Sequence, residues 1–471
     1  MKKHLFPLAV IVVVILAACT SQQKDDKTTV EYSGKSKQAE VGKLPQSPPN
    51  VILFLADDMG WGDAGCYGQK DIQTPHLDKM AKNGIRFTQA YCGAPVCAPS
   101  RSTLMEGLHG GRTRVRNNRT MKKENIFFTD STYTMADMFK EAGYATGLFG
   151  KWGLGNEGTE GIPTKQGFDE FYGFLDQRNA HHYYVDSLWH NDKKIPVALD
   201  TAINYASSDW YLDKAVDFIK EKAKSDKPFF AYVPTQLPHL YMPYTAMDKY
   251  KNKPWPEGDK RYATMISTID AHMGRLNDLV DSLGIAENTL LIFLSDNGGG
   301  NGQRIFYHYV QFFKSNGNFR GMKRDLYEGG IRVPMIAQWK GVIPATSVSD
   351  EPVAYYDLMK TFADLANVEL PKTDGASLVP LFTTEKDSID RPYLYWEFPY
   401  MDIPNAKFAV RKGKWKGVKE YKNQPLQLYN IDEDPSEVFN WAKEYPEIIT
   451  EMEAIIAKEH EPSTYWPMYD E

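Results

Sequence analysis

Four apolar runs in this chain stop on polar residues. Residues 51–55 lead into Asp57 and Asp58, residues 144–149 pass Gly150 to reach Lys151, residues 229–233 pass Pro234 to reach Pro238 and His239, and residues 289–295 lead into Asp296 and Asn297. Three carboxylates and one amide are hard oxygen donors. Brought to one edge, they would repel one another unless a divalent cation such as Ca²⁺ or Mg²⁺ sat among them. A single Asp-Asp or Asp-Asn pair is more often a turn or a cap, so the reading rests on several strand ends acting together. A further group, Cys97-Ala98-Pro99-Ser100-Arg101, sets a thiol four residues ahead of a guanidinium, between the first two of these runs.

The elements that would position these groups alternate. Residues 51–55 are short, β-branched and apolar, as a buried central strand requires. Thr74-Pro75 opens a helix that Gly84 stops, and Thr134 opens another that ends at Gly143. Residues 208–219 place Trp210, Tyr211, Ala215, Phe218 and Ile219 on one helical face. A long helix is predicted over 262–283, before the strand at 289–295. Strands alternating with helices predict an α/β fold, its largely parallel sheet covered by helices on both faces, with ligands gathering at the carboxyl ends of the strands. After Asp374 the texture changes to short aromatic strands (393–396, 408–410, 426–429) and a helix over about 446–460. The expected division is a catalytic α/β domain at 50–375 and a smaller α+β subdomain at 376–471.

With 42% hydrophobic and 25% charged residues the chain has the composition of a folded protein, and its net charge of −6 excludes one that coats nucleic acid. Lys2 and Lys3 precede an uncharged, mostly apolar run closed by Leu16-Ala17-Ala18-Cys19, the pattern of an export signal at 1–18 cut before a cysteine that carries lipid. Residues 19–49 then read as a lipidated Cys19 and a flexible tether. The expected location is the outer membrane of a Gram-negative bacterium, at its periplasmic face or at the cell surface. Cys66, Cys92 and Cys97 remain, an odd number in an oxidising compartment, so one needs a role other than a disulfide.

The segment Cys97-x-Pro99-Ser100-Arg101, followed by Gly111-Arg112, resembles the signature of the type I sulfatases. The resemblance extends through Ala56-Asp57-Asp58-Met59-Gly60, Gly150-Lys151-Trp152, Pro238-His239, Ser295-Asp296-Asn297-Gly298 and Glu328 to Pro334. It implies an alkaline-phosphatase-like sandwich with a large mixed central sheet and a smaller C-terminal subdomain. It also implies that Cys97 is oxidised to formylglycine by a formylglycine-generating or an anaerobic sulfatase-maturating enzyme, and that its hydrated form attacks sulfur. Asp57, Asp58, Asp296 and Asn297, with residue 97, would hold Ca²⁺, or Mg²⁺ in its place. Arg101 would orient the nucleophile, Lys151 and Lys323 would neutralise sulfate oxygens, and His239 would protonate the leaving oxygen.

One departure stands out: most relatives carry histidine two residues after the motif lysine, and this chain carries Gly153. His109, His181 and His182 are candidates to replace it, and Gly153 would let a substrate ring lie closer. Gln177, Arg178, His181 and His182 fall in a loop dense in donors and aromatics and are read as substrate-binding. Arg112, Arg114 and Arg116 alternate and could present one basic strand face, but Arg114 and Arg116 are read as a solvated face, and Arg112 alone joins the substrate-binding set. The function so implied is removal of O-sulfate from a galactose or N-acetylhexosamine unit of a host or marine glycan. A phosphodiesterase or phosphonate hydrolase of the same superfamily, or an inactive glycan-binding lipoprotein, are the alternatives.

Overall fold

Residues 50–56 read Asn-Val-Ile-Leu-Phe-Leu-Ala, and all seven are buried. Val51, Leu53 and Leu55 join one apolar cluster, and Ile52, Phe54 and Ala56 a second, because successive side chains leave opposite faces of a strand. This strand, β1 (Asn50–Ala56), lies inside the main sheet of the computed structural model, which describes residues 42–239, 248–300 and 308–467. The sheet also contains β2 (Ile85–Tyr91), β3 (Ala145–Lys151), β4 (Glu170–Phe174), β5 (Ser187–His190), β6 (Lys193–Pro196) and β7 (Phe229–Pro234). It is completed by β8 (Thr289–Ser295), β9 (Arg332–Gln338), β10 (Ser347–Ser349) and β11 (Val353–Ala354). The spatial order is 10-2-9-8-1-7-3-4-5-6, with β11 also on β2.

Neighbours from β8 through β1, β7 and β3 to β4 are parallel, whereas β9 runs antiparallel to β8 and β2, and β5 to β4 and β6. The sheet is thus the mixed one that the resemblance implies, parallel at its centre, and less parallel than the alternation of strands and helices alone predicts. Only Asn191 and Asp192 separate β5 from β6. Two residues can close a hairpin but cannot make the crossover that parallel strands need.

Helices cover both faces. Cys97–Glu106, Met135–Glu141 and Asp357–Ala366 contribute to the first cluster, and Pro75–Asn83, Ser207–Lys222 and Glu257–Ser282 to the second. The Thr134 hydroxyl accepts from Asp137 N, and the Asp137 carboxylate accepts from Thr134 N, so the expected cap is a reciprocal one. The long helix starts at Glu257, five residues before its apolar stripe, directly after Pro256.

In the C-terminal part, β12 (Leu394–Pro399), β13 (Ala406–Lys412), β14 (Trp415–Lys419) and β15 (Gln427–Asn430) form a separate antiparallel sheet in sequence order. Helix Pro446–Glu459 adds Met452 and Ile455 to its core. The predicted strands are present. β14 was not foreseen, because its short stretch carries Lys416 and Lys419 and lacks an apolar run. Calls on residues 1–41, including the signal segment and Cys19, lie outside the described residues.

Candidate active site

The sheet order makes neighbours of β8, β1, β7 and β3, so the residues that end those strands converge. Asp57, Asp58, Lys151, Asp296, Asn297 and His239 are all buried there. Asp58 takes a left-handed backbone (φ +69°), a conformation rare for residues with a Cβ but one that Asp tolerates better than most. It is held there by its N–H donating to Asp296 Oδ1 (3.0 Å).

Cys97 is the first residue of helix Cys97–Glu106, and Arg101 lies one turn on, on the same side. The helix start leaves backbone N–H groups that favour negative charge nearby. Cys97 Sγ lies 3.4 Å from Asp57 Oδ1 and 3.4 Å from Lys323 Nζ. Arg101 donates to Asp296 Oδ2 through Nε (3.2 Å) and Nη2 (2.9 Å), and to the Lys151 carbonyl (2.8 Å). Lys151 Nζ donates to Asp57, and Lys323 Nζ lies 2.7 Å from Asp58 Oδ1. Lys323, from a loop far along the chain, thus bridges thiol and acid. His239 Nε2 is 3.5 Å from Asp58 Oδ2, and its Nδ1 is buried without a partner among the described residues.

Three fixed cations therefore face three carboxylates. Burial alone would raise Asp57, but Lys151, His239, Arg101 and Lys323 overcome it and hold the carboxyl far below the usual range. Burial and the neighbouring acids push Asp58 up despite Lys323, and Asp296 to about 7. The set resists carrying three negative charges with lysines alone. Burial, followed by Asp57, pushes the Cys97 thiol up to about 12, so as a thiol it stays protonated. Burial drives His239 well below its ordinary value, with Lys323 next, and His181 to about 3, with His239 next.

One ligand atom each from Asp57, Asp58 and Asp296 lie within 4.8 Å of one another, as do those of Asp57, Cys97 and His239. Asn297 Nδ2 donates to Asp58 Oδ1 (2.7 Å) and to the Gly298 carbonyl (2.9 Å), which leaves its Oδ1 buried and without a partner among the described residues. An all-oxygen set with one oxygen free fits a hard divalent cation.

A cavity of about 1120 Å³ adjoins the site, with Ala98, Gly153, Gln177, Arg178, His181 and His182 on its wall. Asp176 Oδ1 accepts from Arg178 N (2.9 Å) and Asn179 N (2.8 Å) and folds this loop into a short turn. The turn lays His181 flat on His239, with ring centroids 4.2 Å apart and planes 8° from parallel. Gln177, Arg178, His181 and His182 are thus brought together.

Arg112 is not among them: it pairs with Asp374, Glu459 and Glu461. Arg114 and Arg116 form neither a strand face nor a solvated one, Arg114 being half-buried and Arg116 buried. Arg114 Nε donates to the Phe127 carbonyl, and Arg116 binds Glu397 and the Glu461 carbonyl. His109 is buried against Glu459, so it does not replace the histidine that Gly153 lacks. The room expected at Gly153 is also taken, because a Cβ there would fall on the Gln177 amide nitrogen. Asn118, Arg119, Asn156 and Lys194 line the cavity unforeseen; the polar run at 116–119 was a signal for the first two, and Asn156 and Lys194 had none.

The family model described as Sulfatase matches residues 49–368, and one described as N-sulphoglucosamine sulphohydrolase, C-terminal, matches 317–461. N-acetylgalactosamine-6-sulfatase of Canis lupus familiaris is 33% identical, covering 78% of this chain and 71% of its own. N-acetylgalactosamine-6-O-sulfatase of Bacteroides thetaiotaomicron is 29% identical, covering 89% and 94%. A solved structure of Ps i-CgsB in complex with k-i-k-neocarrahexaose is 28% identical, with TM-score 0.77, covering 90% and 96%. With the acids, lysines and cysteine arranged as described, this chain belongs to the sulfatase family and is a sulfuric ester hydrolase.

Proposed function

We propose that the protein hydrolyses O-sulfate esters on a sugar, a galactose or N-acetylhexosamine unit of a sulfated glycan, with residue 97 acting as formylglycine. The observation that carries this is the place of Cys97 Sγ, 3.4 Å from both Asp57 Oδ1 and Lys323 Nζ, one helical turn from Arg101. A thiol kept protonated there is a poor nucleophile. The hydrated aldehyde made from it would supply a hydroxyl to attack sulfur and a second hydroxyl whose deprotonation expels sulfate. Relatives named for action on N-acetylgalactosamine 6-sulfate support the sugar class.

Asp57, Asp58, Asp296 and the free Oδ1 of Asn297 would hold Ca²⁺, which when bound would polarise the sulfate and acidify the nucleophile. Arg101, anchored on Asp296, holds the start of the helix and its residue 97 in register. Lys151 and Lys323 face the oxygens of the bound ester and stabilise charge as it grows. His239 is neutral in the free site, since burial and the cations oppose its charge. The negative charge of the incoming ester offsets those cations, so that His239 takes up a proton from solvent as the ester binds, passes it to the leaving sugar oxygen and returns to the neutral imidazole. Export, lipidation at Cys19 and anchoring to the outer membrane belong to the same proposal. It places the enzyme where sulfated glycans arrive and requires a maturating enzyme as partner.

The test is mass spectrometry of the peptide containing residue 97 from protein made in a maturation-competent host, alongside sulfate release from 6-sulfated N-acetylgalactosamine and galactose. An aldehyde at residue 97 in protein that releases sulfate is expected. Unmodified Cys97 in an active preparation rules the mechanism out, and equal turnover of phosphate and sulfate esters would favour a phosphohydrolase.

A further inference from the structure

Gly153 and Gln177 compete for one volume. The backbone at Gly153 is left-handed (φ +83°), and a Cβ there would collide with the Gln177 amide. Trp152 N and Gly153 N donate to the Phe174 and Leu175 carbonyls, both at 2.9 Å. Backbone hydrogen bonds therefore hold the segment that carries Gln177 beside Gly153.

Gln177 lines the cavity, yet its Nε2 and Oε1 are both out of solvent, and neither has a hydrogen-bond partner among the described residues. Leaving a donor and an acceptor of one side chain unpaired is rare and unfavourable. A ligand that both accepts and donates would satisfy them, and a hydroxyl does both. Two further groups locate the amide. Ala98, next to Cys97, shares the cavity wall, and His181 on the same wall stacks on His239. The amide thus belongs to the wall beside which a ring carrying the scissile sulfate would rest.

Building on the carbohydrate-sulfatase reading, we infer that Gln177 is a specificity-determining residue. On binding, its carboxamide turns away from Gly153 and exchanges hydrogen bonds with a hydroxyl of the sulfated sugar. Gly153 leaves it the space to pack there when the site is free.

The experiment compares matured wild type with Gln177→Met, which keeps the bulk against Gly153 but removes both polar atoms, and with Gln177→Ala. The readout is the ratio of kcat/KM for a sugar sulfate to kcat/KM for 4-nitrophenyl sulfate, which offers no sugar hydroxyl. The sugar is whichever of 6-sulfated N-acetylgalactosamine, galactose or N-acetylglucosamine the wild type turns over fastest. Both variants are expected to lower the ratio about tenfold or more, with the loss in KM for the sugar. A ratio that Gln177→Met leaves unchanged overturns the inference and reduces Gln177 to packing. Wild type that cleaves 4-nitrophenyl sulfate but none of the three sugars overturns it too, while leaving the sulfatase chemistry standing. Wild type with an aldehyde at residue 97 and no activity on any of the four overturns the functional reading itself, and the inference with it.

Discussion

Single charges account for much of this site. Asp58 and Asp296 are pushed up by burial and by neighbouring carboxylates, and the Asn297 Oδ1 has no partner among the described residues. A cation that satisfies all three should therefore stabilise the fold by mass action. Dialysis against a chelator is expected to lower Tm and abolish sulfate release, and Ca²⁺ at about a hundredfold above its Kd should restore roughly 2.7 kcal/mol. A melting curve unmoved by either treatment contradicts the cation reading. Away from the site, Asp63 is buried and pushed up to about 7, chiefly by burial, while bonds from Tyr262 and Gly60 pull it partly back. Its folded value lies above its unfolded one, so its contribution to stability is complete below about pH 4 and is lost as pH rises through 7. Asp63→Asn should therefore gain on wild type between about pH 4 and pH 7 and hold a constant margin above, as denaturant titrations at each pH would show. A margin already full at pH 4 would contradict the assignment.

At the scale of elements, the site depends on how two segments lie together. Val96 gives helix Cys97–Glu106 no side-chain cap, and the Ala98 N–H at its start donates instead to Asn118 Oδ1 (3.2 Å), a residue of the cavity wall. The loop after β4 rests on Gly153. Gly153→Ala meets both a left-handed backbone and the Gln177 amide, at a cost of about 1–2 kcal/mol for the first and 1–3 for the second. Adding Gln177→Ala should recover the second part. A double-mutant cycle read by thermal melting checks this, and strictly additive losses would show that the two residues do not share the space. Helices Pro75–Asn83, Met135–Glu141, Ser207–Lys222, Glu257–Ser282 and Pro446–Glu459 and the central strands β1, β3, β7 and β8 were readable in advance because an apolar stripe or run is a local pattern, whereas helices Cys97–Glu106 and Asp357–Ala366 were not read. β5, β6 and β14 were not either, since each is only four or five residues long and none carries an apolar run.

Across the whole molecule, the small sheet is tied to the main body through buried charge. Lys416 of β14 lies 2.9 Å from Glu328 Oε1 and 2.9 Å from Glu437 Oε1, all three fully buried. Trp396 Nε1 donates to the Cys92 carbonyl (2.7 Å), five residues before Cys97. Lys416→Met would leave two carboxylates buried without their lysine, and a loss of about 3–5 kcal/mol is expected in chemical denaturation. A loss under about 1 kcal/mol would mean that Arg332 and Arg411, which also lower Glu328, suffice to hold the cluster.

Sequence alone determined which residues end the buried strands, because apolar runs and the polar residues that stop them are neighbours in the chain; that Cys97 and Lys323 join them was implied by the resemblance to the sulfatase signature. Tertiary structure decided the partners. Arg112 looked free in the sequence but is engaged by Asp374, Glu459 and Glu461, residues more than 250 positions away. His181 reached His239, and Gln177 reached Gly153, only once the loop had folded over the end of β3. Periodicity reports which face of an element is apolar. Which charges meet depends on how elements dock, and the energy that sets it comes from contacts between residues distant in sequence.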